Sequence, residues 1–256
     1  MSAIPKTAEY PKVIPFELIV NQNNKDGKIQ KKKTPIPVGE SSEVYAFKTE
    51  EEIKAMIDVL DKHIKEADTD SHRQIACRNK LLFLVGINLG IRASDLRELK
   101  FSFFLEKKND ELKFREFYTL QPIKQRKQKK FVKLYFNQTV KTAITNYIEE
   151  YPFNSLDDYL FQSRKGDKPI STKALWEIIK NTALEAGIEQ NIGSHSLRKT
   201  FGFWVWHNAE DKEKALVILQ KIFNHSSTLT TSIYIGILDD EIGDMFNALN
   251  LGEDFI

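Results

Sequence analysis

The stretch from Ser194 to Ile235 constrains this chain more than any other, because two short blocks within it make chemical sense only if the fold brings them together. The first reads Ser194-His195-Ser196-Leu197-Arg198. The second reads Asn224-His225-Ser226, and Tyr234 follows nine residues after His225. In a helix opened by the first block, His195 and Arg198 lie three positions apart and share a face, so an imidazole and a guanidinium can meet one small anion. Arg adds a planar fork of N–H donors that stays charged at any working pH. Two imidazoles, a guanidinium and a hydroxyl nucleophile suit in-line attack on a phosphodiester, with Tyr234 as the attacking group. A lone histidine at either place is more often structural; the joint placement with Arg198 and Tyr234 favours the functional reading.

These residues resemble the catalytic C-terminal half of the tyrosine recombinases, also called the phage integrase family. The resemblance rests on the His-x-x-Arg box at His195 and Arg198, on His225 with Tyr234 nine residues later, and on the upstream Gly-x-Arg turn in Gly90-Ile91-Arg92-Ala93-Ser94-Asp95-Leu96. It implies that Arg92, His195, Arg198, His225 and Tyr234 are catalytic. It also implies a catalytic lysine on a β-hairpin, which protonates the leaving 5′ oxygen. Counting back from Phe131-Val132-Lys133-Leu134 favours Lys124 for this part, with Lys127 the alternative. Asp95 would orient Arg92 or the lysine. One position departs from the family: the residue before the second histidine is usually Gly and here is Asn224. Asn tolerates the left-handed backbone better than other non-glycine residues, so the turn is expected to survive.

The implied activity is site-specific DNA recombination through a 3′-phosphotyrosyl link. That link conserves the bond energy, so rejoining is expected to need no cofactor, ATP or metal. Expected partners are double-stranded DNA, further copies of the chain in a tetramer on paired sites, and an accessory DNA-binding protein. A type IB topoisomerase-like enzyme and a non-cleaving DNA-binding protein of the same fold are the alternatives. Family members usually carry a separate helical DNA-clamping domain ahead of the catalytic one. The first 46 residues leave no room for it, so the chain is expected to act as a minimal catalytic domain or to take its clamp from a partner.

Charge is nearly balanced at +2, but its distribution is not. Residues 124–133 hold six cations and no acid, whereas residues 239–256 hold six acids and no cation. Lys127, Lys129 and Lys130 in the first run, with Arg164, Lys173 and Lys180 further on, are expected to touch DNA phosphates, which would make affinity fall with salt. A charge run taken alone is more often a solvated face. Five of the eight prolines and the Lys25–Lys33 run fall within residues 1–46, a composition that argues against a folded helical domain and for a basic arm. Residues 47–238 form the expected catalytic domain. Residues 239–256 form an expected acidic tail helix, with Ile242, Met245, Phe246 and Leu249 as an apolar face for docking on another subunit.

Periodicity and caps predict helices over 49–67, 74–89, 138–151, 171–187, 194–207, 211–223 and 228–235. Between the second and third, residues 101–105, 112–121 and 131–136 alternate and carry aromatics, which predicts a three-stranded antiparallel sheet. The expected fold class is therefore mainly α with a small antiparallel three-stranded β-sheet, an α+β chain. Cys77 is the single cysteine and the five histidines are scattered, so neither a disulfide nor a zinc site is expected. No apolar run approaches the ~20 residues of a membrane span and no signal-peptide core opens the chain, which points to a cytoplasmic protein working on DNA.

Overall fold

In the computed structural model, residues 43–249 are described, apart from 110, 125–130 and 165. Residues 1–42 of the expected arm and residues 250–256 of the expected tail lie outside them. The chain enters along Glu43–Lys48, where Tyr45 N–H donates to Asn191 O at 2.8 Å and Phe47 N–H to Thr200 Oγ1 at 2.9 Å. Helix α1 (Glu50–Lys65) opens with a reciprocal cap: Thr49 Oγ1 accepts the Glu52 N–H at 3.1 Å, and the Glu52 carboxylate accepts the Thr49 N–H at 3.2 Å. Helix α2 (Asp70–Leu89) starts four residues before its sequence-predicted start, because Thr69 caps it through the His72 N–H. Its apolar run Leu81, Leu82, Phe83 and Val85 is buried, and α1, α5 and α7 pack around it.

Two short helices, α3 (Ala93–Leu96) and α4 (Phe101–Phe104), follow the left-handed turn at Gly90 (φ 60°). Sequence patterning predicts a strand at 101–105. The first four of those residues are instead a helical turn, because Phe101 and Ser102 N–H donate to Asp158 O and Leu156 O at 3.2 and 2.7 Å. Phe101 stacks on Phe153 at 4.3 Å and Phe104 meets Phe136 at 4.8 Å, so tertiary packing overrides the strand propensity. Four strands follow: β1 (Leu105–Lys108), β2 (Glu111–Phe114), β3 (Phe117–Leu120) and β4 (Val132–Tyr135). The predicted middle strand breaks at Arg115–Glu116, where Arg115 turns its N–H to Phe104 O and its Nε to Ser102 O. Two antiparallel ribbons, β1–β2 with Leu105 opposite Phe114 and β3–β4 with Leu120 opposite Val132, thus replace one three-stranded sheet.

Helices α5 (Gln138–Glu150), α6 (Thr172–Glu185), α7 (Ser194–His207), α8 (Lys212–Phe223), α9 (Thr228–Ile235) and α10 (Ile237–Asn247) complete the described chain. A large core gathers α1, α2, α5, α6 and both ribbons, and a smaller one holds Phe203, Leu219, Phe223 and Ile235 under α7, α8 and α9. Packing α7 between the two cores brings its His195–Arg198 face to the ends of α2 and α8. No helix among the described residues is long and apolar enough to cross a membrane.

Candidate active site

Two helix C-termini build the floor of the site. Helix α2 stops at Gly90 and α8 stops at Phe223, and each leaves carbonyls that no further helical turn can satisfy. Arg198, on the first turns of α7, donates Nη1 to Gly90 O at 2.5 Å and Nη2 to Phe223 O at 3.2 Å. Arg92, two residues past Gly90, donates Nη2 to the same Phe223 O at 3.4 Å. Two guanidiniums would otherwise repel one another. Here the partial negative charge of a helix C-terminus holds both. Arg198 is only 5% exposed, and burial brings its pKa down to about 10, so it remains a cation at neutral pH.

The α8 C-terminus also aims the second histidine. Asn224 takes the left-handed conformation (φ 55°, ψ 49°) at the place where the family usually has Gly, and His225 N–H closes back on Gln220 O at 3.0 Å. The His225 ring then lies 5.0 Å from the Tyr234 ring, and Phe223 packs against both at 5.4 Å. Thr231 Oγ1 donates to Ser227 O at 3.2 Å and faces His225 Nδ1 at 3.2 Å. With its own proton so committed, that hydroxyl can only accept here, which favours the tautomer with the proton on Nδ1 and leaves Nε2 as the other ring nitrogen. Tyr234, on α9, lies close enough to Arg198 for the guanidinium to favour the phenolate. Burial pushes its phenol above the ordinary pKa, against the pull of Arg198 and Arg92, and Glu43 pushes the same way as burial.

His195 opens α7 with a solvent-facing edge. Loss of hydration, then the charges of Lys124, Arg198, Arg92 and Lys199, hold its pKa below the usual imidazole value. His225 is held down likewise by partial burial, Arg198 and Arg92. Lys124 is thus near enough to act on His195. Its backbone is anchored by Asp95, 4% exposed, whose Oδ1 accepts the Ile123 N–H at 2.8 Å. Lys127, the alternative, and Lys129 and Lys130 lie outside the described residues.

The structure therefore brings Arg92, Lys124, His195, Arg198, His225 and Tyr234 to one place. The remaining sequence-predicted residues that the structure describes sit elsewhere. Lys173 and Lys180 share the outer face of α6 with Trp176 between them; Lys173 pairs with Glu177 at 3.5 Å and Lys180 Nζ stands 4.8 Å from the Trp176 ring. Arg164 borders a separate cleft at the N-terminal half of α2. Sequence reasoning missed Thr231 and an ion pair beside the tyrosine, of which the lysine is buried and the carboxylate half exposed. Lys199, 5% exposed, pairs with Glu43 of the entering segment and holds its ammonium 5.4 Å from the Tyr234 ring centre. Lys199 follows Arg198 directly, a signal of position that composition does not carry.

The arrangement can seat one tetrahedral oxyanion against a phenol. Residues 47–241 match the phage integrase family, and the chain belongs to that family. YoeC of Bacillus subtilis (strain 168), named a probable integrase/recombinase, is 35% identical over 163 residues, which are 64% of this chain and 80% of YoeC. The tyrosine recombinase XerA of Pyrococcus furiosus is 26% identical over 209 residues, 81% of this chain and 63% of XerA. Among solved structures, XerA recombinase shares the fold with a TM-score of 0.56 at 22% identity, covering 84% of this chain and 66% of that one. XerH site-specific recombinase bound to palindromic difH substrate, in a post-cleavage complex, gives 0.55 at 20% identity, covering 80% of this chain and 54% of XerH. The chain thus spans most of YoeC and about half of the XerH chain.

Proposed function

We propose that this protein is a tyrosine-type site-specific DNA recombinase, which cuts and rejoins DNA strands through a 3′-phosphotyrosyl intermediate. The observation that carries this reading is the shared acceptor at Phe223 O, which fixes Arg92 and Arg198 side by side with the Tyr234 phenol within reach of the latter. Their remaining N–H donors would grip the nonbridging oxygens of a scissile phosphate and stabilise the charge building on phosphorus. Losing one such donor typically lowers the rate by ~10²–10³. A free phenol with pKa near ~10 is ionised in about one molecule in 10³ at pH 7, equivalent to roughly 4 kcal/mol. Neutral His195 would take up the phenol proton as attack proceeds.

Attack forms the bond from Tyr234 Oη to phosphorus and breaks the bond to the 5′ oxygen, which leaves with a proton from Lys124. His225 would donate from Nε2 once the phosphate charge has drawn a proton onto its ring. Asp95 would fix Lys124 through the Ile123 N–H. Rejoining is the same path reversed, with a 5′ hydroxyl attacking the phosphotyrosine.

Double-stranded DNA is the substrate on this reading, with Lys173, Trp176 and Lys180 on one exposed face of α6 able to meet phosphates and bases. Assembly would use α10, whose Met245 and Phe246 are each 74% exposed beside exposed Ile242 and Leu249. An exposed apolar row of that kind suits the surface of a second copy. The test is a plasmid carrying two copies of the DNA that flanks the coding sequence. Recombinant circles that require Tyr234 support the proposal. Supercoil relaxation without recombinants would instead mean strand rotation, and DNA binding without either product would mean a non-cleaving protein.

A further inference from the structure

A second cationic cleft lies far from the tyrosine. It measures about 310 Å3 and is bordered by Ser71, Gln74 and Arg78 of α2, Tyr147 of α5, and Gln162 and Arg164 of the loop before α6. About 18 Å of helix separate Arg78 from the Gly90 turn, at 1.5 Å per residue, so this cleft is distinct from the candidate active site. Arg78 is 8% exposed, an unusual place for a guanidinium. Nη1 donates to Gln162 O at 2.7 Å and Nη2 to Asn79 Oδ1 at 2.8 Å, while Nε is enclosed without a partner. Both acceptors are neutral. Among the described residues no carboxylate pairs with Arg78 or Arg164, and none borders the cleft. Glu66 and Asp68 stand across the adjoining cleft that Arg164 also borders, but Asp68 is taken by His72 at 2.5 Å.

A buried charge normally has a counter-ion or a full set of hydrogen bonds. Arg78 has neither, and Arg164 adds a second positive charge that lowers its pKa further after burial has done so. Gln74 and Ser71 add neutral donors at the rim. Paired guanidiniums with hydroxyl and amide neighbours match the planar forks and multiple acceptors of phosphate recognition.

We propose that this cleft is an oxyanion site of the phosphate class, held by Arg78 and Arg164. The phosphate is a DNA backbone phosphate outside the scissile position or a free phosphate group, and the chemistry of recognition is the same. The binding measurement needs no strand cleavage, so its failure and that of the recombinase reading are separable.

The test follows the arginine Nε–Hε signals of DNA-free protein during titration with inorganic phosphate, at constant ionic strength held by chloride. The signals of Arg78 and Arg164 are assigned through bonds from their own backbones, which separates them from Arg92 and Arg198. The expected result is a common saturating curve for Arg78 and Arg164. Arg164→Gln should weaken the Arg78 response about tenfold or more, the effect of one lost charged donor, while Arg92 and Arg198 titrate as before. Added duplex DNA that displaces the phosphate identifies a backbone phosphate as the source; phosphate that stays while DNA binds identifies a free one. Either supports the site. A linear drift of Arg78 without saturation, or saturation indifferent to Arg164→Gln, overturns it.

Discussion

Replacing Gly90 by Ala tests how the turn before Arg92 is held. Gly90 sits at φ 60°, where an L side chain costs roughly 1–2 kcal/mol. A Cβ there would also stand 2.1 Å from Phe201 Cδ1 and 2.4 Å from its Cγ, so the ring or the turn must move. Overpacking of that kind adds about 1–3 kcal/mol. The sum, roughly 2–5 kcal/mol, should lower the urea midpoint by about 0.7–2.5 M if the slope is ~2–3 kcal/mol/M. Function should suffer beyond stability. Gly90 O anchors Arg198, and Phe201 touches Phe223, whose carbonyl holds both arginines. Strand cleavage, measured well below the unfolding midpoint, should therefore fall by at least about tenfold, the effect of ~1.4 kcal/mol on the barrier. Phe201→Ala in the same chain should recover the overpacking part and leave the backbone part. A Gly90→Ala protein within about 0.5 kcal/mol of wild type, or one that Phe201→Ala does not relieve, refutes the steric account.

Asn224→Ala should cost about 1 kcal/mol more than Asn224→Gly, since only glycine meets the left-handed C-terminus of α8 without strain; urea unfolding of the two variants measures the difference. His195 and His225 are both held below their unfolded pKa. The unfolded chain therefore binds more protons as pH drops below about 6.5, and stability present above that value is lost on acidification. Ring-proton titrations showing either midpoint above 6.5 would contradict this. Lys199→Met should raise the Tyr234 pKa and Glu43→Gln should lower it, because one removes a positive charge and the other a negative one beside the phenol. Tyrosine Cζ labels read both shifts directly, and shifts of the opposite sign would remove the pair from any role at the nucleophile.

Much of the helical frame is legible in the sequence because its ends are chemically marked. Thr49 with Glu52 opens α1, Gly90 closes α2, and the Ser194 and Thr228 starts fall where the structure has them. The α2 start is less visible: Thr69 caps a first turn of polar residues that carries no apolar period. The β region is misread where contacts distant in sequence decide. Nothing local to Phe101–Phe104 announces the carbonyls of Leu156 and Asp158, and nothing local to Arg115 announces Phe104 O.

The candidate site is legible as far as side-chain identity and spacing go. Its organising feature is not, because Phe223 O is a backbone atom and every residue has one. The sequence leaves Asp95 to orient either the arginine or the lysine; in the structure its Oδ1 accepts the Ile123 N–H beside Lys124, and its charge also acts on Arg198. Thr231 meets His225 across the α8–α9 turn and the Glu43–Lys199 pair depends on the entering segment meeting α7, arrangements that spacing along the chain does not encode.

The most direct measurement of the central claim is the chemical identity of the residue joined to DNA. The protein is incubated with a nicked substrate built from the DNA flanking its coding sequence, so that the cleaved 5′ piece diffuses away and the adduct is trapped. Protease digestion and mass spectrometry then locate the nucleotide. The account predicts a 3′-phosphate ester on Tyr234, and no adduct with Tyr234→Phe. A nucleotide on any other residue, or an adduct that survives Tyr234→Phe, would contradict it.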